Sequence, residues 1–320
     1  CRAPCACSHL LAAAAAAGSA APRWLRAAAD APASSAAGTR PNIVLLLIDD
    51  MGWRDVGFMG SKYYHTPNID RLAAGGMVFS RAYANAPNCA PTRACLMSGQ
   101  YAPRHGVYTV GTSARGQAAR RKLIPVTNTT TLNPKIVTIA ETLKKAGYTT
   151  AMMGKWHLGG EAENCPEAQG FDLNIGGTEA GNPRSYFSPY DNPKIPDGPA
   201  GEYLTDRLTD EALKYLDAQA AGGAAAGGGT GKTPFFLYLP HYAVHSPLQA
   251  KKDMIAACAA RPADGGQHNP TYAAMIESTD EGIGRILAKL DEHKFTDNTL
   301  VIFFSDNGGV MGTTSNAPLR

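Results

Sequence analysis

The chain has 320 residues, 44% of them hydrophobic and 18% charged, with 30 Lys+Arg against 27 Asp+Glu. This composition excludes wholesale disorder and collagen-like repeats, and the length supports one large or two ordinary domains with ample core. The formal surplus of +3 sits in residues 1–40, where Arg2, Arg23, Arg26 and Arg40 oppose Asp30 alone; residues 41–320 carry 26 basic and 26 acidic groups, so their net charge gives no reason to expect a nucleic acid or an anionic membrane as partner.

Residues 1–40 begin at Cys1 and are rich in Ala, with an apolar run Leu10–Ala17 and Ala-x-Ala sites between Ala27 and Ala33. This is the pattern of a secretory signal and its cleavage region; a transit peptide is the rival reading, because Arg is present and acids are nearly absent. The expected location is secreted, periplasmic or an endomembrane lumen of the lysosomal kind, with the plastid as the transit-peptide alternative. The apolar run is too short to span a bilayer, and no later run predicts a transmembrane helix.

Pro41–Ile48 reads as a buried strand, because six consecutive apolar residues suit a strand covered on both faces. It ends at Asp49-Asp50. Thr66-Pro67-Asn68 opens a helix that Gly75-Gly76 closes. Met77–Tyr83 predicts a strand. Cys89 heads a helix, at the N-terminal end where the dipole favours negative charge, with Pro91 in the first turn and Gly99 near the helix's close. Thr138-x-x-Glu141 is a capping box for a helix that stops at Gly147, and Tyr148–Met153 is a strand leading into Gly154-Lys155-Trp156-His157.

Residues 160–202, dense in Gly, Pro, Asn and Asp, read as a long surface excursion. A helix over about Tyr203–Gln219 precedes Ala220–Gly231, an Ala/Gly connector or insertion. Phe235–Leu239 is another buried strand, running into His241 and His245. Tyr272, Met275, Ile276, Ile283, Ile286, Leu287 and Leu290 share one helical face. Thr299–Phe304 forms a strand ending at Ser305-Asp306-Asn307-Gly308-Gly309. Alternating strands and helices predict an α/β fold, a largely parallel sheet with helices on both faces. Ligands in such sheets bind beyond the strands' carboxyl ends. Four strands end in polar groups, so the site is expected where those ends converge.

Asp49, Asp50, Asp306 and Asn307 offer three carboxylates and an amide oxygen. Brought together, they would repel unless a cation neutralised them, and all-oxygen ligation suits Ca2+ or Mg2+. Cys1, Cys5 and Cys7 lie in the leader; Cys89, Cys95, Cys165 and Cys258 in the body form no disulfide framework and no Cys-x-x-Cys zinc site. Asn128-Thr129-Thr130 is an N-glycosylation acceptor for a chain that enters a secretory pathway.

Cys89-Ala90-Pro91-Thr92-Arg93, with the Leu96-Met97-Ser98-Gly99 ending, resembles the sulfatase motif. Pro41–Asp50, Tyr64–Leu72, Gly154–Gly159, Tyr242–Pro247, Ser305–Gly309 and Asn316–Arg320 resemble further blocks of that family in the same order, covering about residues 41–320. The chain is similar to formylglycine-dependent type I sulfatases, of the alkaline phosphatase-like superfamily. The resemblance implies hydrolysis of sulfate esters, of carbohydrates or aryl alcohols. It also implies a maturation enzyme that converts Cys89 to formylglycine, with Pro91 and Arg93 as recognition elements. Asp49, Asp50, Asp306, Asn307 and the modified Cys89 are the implied metal ligands. Arg93 is expected to hold the formylglycine, Lys155 to contact it and the sulfate, His157 to bond the non-attacking hydroxyl and assist elimination, and His245 to protonate the leaving oxygen. A His suits that last task because its pKa is near neutrality. His241 is expected as a support or pocket residue, Cys95 as a packing residue, and Arg54 and Asp55 receive no role.

Relative to the family, a Gly-rich segment bearing a second sulfate-binding lysine and a smaller C-terminal domain are not in these 320 residues, which predicts weak activity or stability. Two alternatives follow: hydrolysis of phosphonate or phosphate esters with the same nucleophile, and silent binding of sulfate esters.

Overall fold

The computed structural model describes residues 40–222 and 233–319. The expected leader, apart from Arg40, and most of the Ala/Gly tract therefore lie outside the described residues. In chain order the main elements are β1 (Asn42–Ile48), α1 (Pro67–Ala74), α2 (Cys89–Ser98), α3 (Ile139–Lys145), β2 (Thr149–Met153), β3 (Leu173–Ile175), α4 (Leu204–Ala220), β4 (Phe235–Pro240), α5 (Lys252–Ala259), α6 (Pro270–Glu292) and β5 (Thr299–Ser305). Among the described residues the strands form one sheet in the order β3-β2-β4-β1-β5, with every pairing parallel. No described helix is long and apolar enough to cross a membrane.

β1 lies between β4 and β5 and is apolar on both faces because both are covered. Val44, Leu46 and Ile48 pack with α4 and α6 residues including Leu208, Leu216, Ile276 and Ile283. Leu45 and Leu47 face the other way, with Ala90, Ala94 and Met97 of α2 and Ala140 of α3. Burial of each such Leu stabilises by about 1.5–3 kcal/mol. The expected face of α6 is buried as predicted, with Leu287 only partly covered. Its start is set by Asn269, whose side chain accepts the Tyr272 N–H at 3.0 Å. The capping box of α3 closes in both directions, at 3.1 Å and 2.7 Å.

Two expectations are corrected. Met77–Tyr83 is irregular, with Met77, Phe79 and Tyr83 each more than 70% exposed. Its Val78, Phe79 and Tyr83 suit a strand, but a strand needs a neighbour for its backbone groups, and among the described residues it has none. Residues 160–202 are not merely a surface excursion. Phe171, Tyr186, Tyr190 and Ile195 are buried, and the Tyr186 hydroxyl bonds to the Tyr242 and His245 carbonyls at 2.6 and 2.8 Å, one hydrogen shared between two acceptors. The aromatic content of this stretch outweighs its Gly and Pro.

Candidate active site

Because the strands are parallel, the carboxyl ends of β1, β2, β4 and β5 open on one edge, and the polar residues that follow them meet there. Asp49, Asp50 and Asp306 each offer an oxygen within 4.8 Å of the others. Lys155 Nζ donates to Asp49 Oδ2 at 2.5 Å. Arg93, fully buried, donates Nε and Nη2 to Asp306 Oδ2 at 3.1 and 2.9 Å and Nη1 to the Lys155 carbonyl at 2.7 Å. Its Nη2 also lies 3.7 Å from Asp49 Oδ1. Asn307 Nδ2 donates to Asp50 Oδ1 at 2.6 Å.

The Cys89 Sγ lies 3.4 Å from His157 Nδ1. His245 Nε2 is 3.6 Å from Asp50 Oδ2, and His245 Nδ1 is 2.8 Å from the Ser246 carbonyl. The nine catalytic and metal-ligand candidates from the sequence are thus brought together: Asp49, Asp50, Cys89, Arg93, Lys155, His157, His245 and the Asp306-Asn307 pair at the end of β5. Cys95 is apart from them, its Sγ 3.2 Å from His105 Nε2, in line with packing. His241 is fully buried, and among the described residues neither of its ring nitrogens has a hydrogen-bond partner.

Local backbone demands explain the spacing. Gly154 has φ +127°, and a Cβ there would meet the Pro240 carbonyl oxygen at 2.0 Å. Only glycine lets β2 press onto β4 at this point, where the Lys155 N–H donates to that same carbonyl at 2.7 Å. Gly181, from the 160–202 stretch, lies flat against the His157 ring; a Cβ would stand 2.7 Å from its Cε1.

Electrostatics follow from burial. Burial pushes the Cys89 thiol up, and Lys155 only partly offsets it. The helix dipole expected to favour a thiolate loses to desolvation, so the unmodified side chain is a poor nucleophile at neutral pH. Burial, reinforced by Lys155 and Arg93, lowers His157 to about 3, which keeps its ring neutral. Burial opposes the charge of Arg93, but Asp306 and Asp49 hold it above its ordinary value.

The donor set fits a hard cation. Asp49 Oδ1 and Asn307 Oδ1 are buried without a hydrogen-bond partner, and three carboxylates crowd one point. Burial and the neighbouring Asp49 push Asp306 up to about 6. In acid, a cation binding there displaces the Asp306 proton. Because the raised pKa keeps Asp306 protonated in mild acid, Ca2+ affinity is expected to climb about tenfold per pH unit in acid and to level off near neutrality. Calorimetric titration with Ca2+ from pH 4.5 to 7.5 checks this; an affinity that does not change with pH contradicts it.

Asp55 is the residue that sequence reading missed. It is buried and accepts from the Gly52 N–H at 2.9 Å, the Tyr272 hydroxyl at 2.7 Å, Gln267 Nε2 at 3.0 Å and the Thr314 hydroxyl at 2.7 Å. Tyr272 Oη in turn lies 3.1 Å from the Asp50 carbonyl oxygen. This hub pins the Asp49–Asp55 turn to α6. Nothing local signals it, since three of its four partners are more than 200 residues away in sequence.

A parallel α/β sheet with a carboxylate cluster, a buried Lys and Arg, and a helix-heading Cys at its carboxyl edge defines an alkaline phosphatase-like architecture. Within that class the chain belongs to the sulfatase family, whose family model, described as Sulfatase, matches residues 41–320. A sulfatase of Formosa agariphila is 34% identical over 348 residues, covering 89% of this chain and 60% of the relative. The N-acetylgalactosamine-6-sulfatase of Mus musculus is 35% identical over 298 residues, covering 86% of this chain and 52% of the relative. Among solved structures, Ps i-CgsB in complex with k-i-k-neocarrahexaose superposes with a TM-score of 0.70 at 32% identity, covering 88% of this chain and 62% of that one. The chain thus spans about half to three-fifths of the length of these curated relatives.

Proposed function

We propose that the chain is a sulfuric ester hydrolase that removes sulfate from sulfated carbohydrates, with aryl sulfates as small surrogates, using a formylglycine made from Cys89 and a divalent cation, Ca2+ or Mg2+. The observation that carries this reading is the meeting of Cys89 and His157 at 3.4 Å beside the Asp49, Asp50 and Asp306 cluster. The names of the relatives support the substrate class. A secreted or lumenal location and a maturation enzyme acting on Cys89-Ala90-Pro91-Thr92-Arg93 belong to the same proposal.

Asp49, Asp50, Asp306 and Asn307, with the modified residue 89, would hold the cation; bound there, it would neutralise developing charge and polarise a sulfate oxygen. Formylglycine in hydrated form would supply a hydroxyl nucleophile where the thiol cannot. The chain's own residues do the rest. Arg93 fixes the relative positions of Asp306 and the Lys155 backbone. Lys155 brings a buried positive charge to the anionic group. His157, neutral, accepts a proton from residue 89 at Nδ1. His245 is partly open to solvent, and with its Nδ1–H bonded to the Ser246 carbonyl, the imidazolium form would carry its second proton on Nε2, the proton given to the departing oxygen.

Release of inorganic sulfate from a sulfated oligosaccharide, compared with matched aryl sulfate and aryl phosphonate esters, tests the reading. The sulfate esters are expected to turn over at least about tenfold faster than the phosphonate, and chelation is expected to abolish both. Faster phosphonate cleavage, or turnover that survives chelation, overturns it.

A further inference from the structure

The neutral total of residues 41–320 hides a segregation of charge. Residues 71–140 contain nine basic residues and no acidic one. Arg93 is committed to the pocket, but Arg104, Arg115, Arg120, Arg121 and Lys122 crowd into 19 residues that follow α2. Four of these five are exposed and Arg121 is half-buried. Among the described residues none of the five pairs with a carboxylate. By contrast Lys144, Lys194, Arg207, Arg261 and Arg285 each meet one. Like charges gathered without counterions raise the energy of the folded chain and create a strong local field for anions.

The cluster is built and is tied to the site. Arg115 donates to the Thr112 and Val110 carbonyls, each at 3.0 Å. Arg121 donates to the Ala114, Gly116 and Arg115 carbonyls at 3.0, 2.9 and 3.0 Å. These bonds order the guanidinium groups and leave their charge uncancelled. Asn128 braces the loop, accepting the Tyr108 and Thr109 N–H groups at 2.7 and 3.1 Å. The root of the loop bonds to the residue before the nucleophile position: Asn88 Nδ2 donates to Thr109 Oγ1 at 3.1 Å. Beside Arg121 lies an open depression of about 580 Å³, also lined by Thr112, Ser113, Thr127, Asn128 and Thr130. Threonine hydroxyls around a planar cationic fork, on a loop whose Asn128 amide is spent on bracing the backbone, form a surface suited to sugar hydroxyls and sulfate oxygens.

We propose that residues 104–130 form an accessory binding surface for a polymeric, multiply sulfated glycan, gripping sugars beyond the one whose ester reaches position 89. The substrate assignment rests on the sulfatase reading above, whereas the binding itself does not. It narrows the substrate from any sulfated carbohydrate to a chain carrying repeated negative charge.

The test uses the full chain and the double variant Arg120→Glu, Lys122→Glu, two exposed side chains that make no hydrogen bond of their own among the described residues. Affinity for a sulfated galactan, measured at low and moderate salt, is expected to fall at least about tenfold in the variant and steeply with salt in the wild type. On the polymer KM is expected to rise in step while kcat holds, and kinetics on a small aryl sulfate are the comparison. Unchanged galactan affinity overturns the proposal. So does equal binding, and equal loss of binding, with single-stranded DNA or polyglutamate of similar length, which would mark a generic polyanion surface. If galactan binding weakens as expected but no ester is cleaved, the surface stands and the sulfatase reading falls.

Discussion

Replacing Cys89 by Ala is expected to lower kcat on an aryl sulfate by on the order of 10⁵-fold while leaving the fold intact. The size of the effect follows from its position: on the proposed mechanism residue 89 supplies the nucleophile, and its neighbours His157, Lys155 and Arg93 are arranged around it. The fold tolerates the change because a small buried side chain is replaced by a slightly smaller one, and α2 keeps its start at the same residue. Steady-state assays of wild type and variant give the ratio. Mass spectrometry of the wild-type tryptic peptide Ala82–Arg93 gives the chemistry, an aldehyde being expected in place of the thiol. A natively produced chain that carries an intact thiol and still turns over sulfate esters contradicts the mechanism.

Arg93→Met is expected to cost about 3–5 kcal/mol of stability in the absence of divalent cation. The guanidinium is wholly buried and lies against Asp306 and Asp49, both also buried, at 2.9 and 3.7 Å. Removing it leaves two carboxylates facing each other with only Lys155 to compensate. A bound cation takes over part of that neutralisation, so excess Ca2+ is expected to recover a large share of the loss. Arg93→Lys keeps the charge but forfeits the fork that reaches both Asp306 and the Lys155 carbonyl, and an intermediate loss of about 1–2 kcal/mol is expected. Urea unfolding with and without Ca2+ separates these effects. An Arg93→Met chain as stable as wild type without cation contradicts the account.

Much of the architecture is legible in the sequence because its signals are local. The unbroken apolar run of β1, the Thr138–Glu141 box and the spaced apolar face of α6 each need only neighbouring residues to be read. The site was legible for another reason: acids, Lys and His stand directly after apolar strands, and a parallel sheet brings such positions to one edge. What escaped depends on distant partners. Met77–Tyr83 carries a strand pattern that only a neighbouring strand could realise. The burial of Tyr186 depends on carbonyls 56 and 59 residues further along the chain. Asp55 draws three of its four bonds from beyond residue 260. The charge state of Cys89 was misjudged because the helix dipole is visible in a sequence and desolvation is not.

The burial of α2 has a consequence for the order of events in the life of the chain. Residues Cys89 through Cys95 are all buried, with Arg93 wholly so, and these include Cys89, Pro91 and Arg93, the residues the proposed maturation enzyme would read. In the finished structure Pro91 and Arg93 face inward, the latter locked between Asp306 and the Lys155 backbone. A second enzyme cannot grasp this segment without prising the molecule open. On the proposed mechanism the aldehyde is therefore installed on an extended chain, before β5 delivers Asp306. Oxidation and folding would then compete in time, and a molecule that folded first would shut its own thiol away from activation.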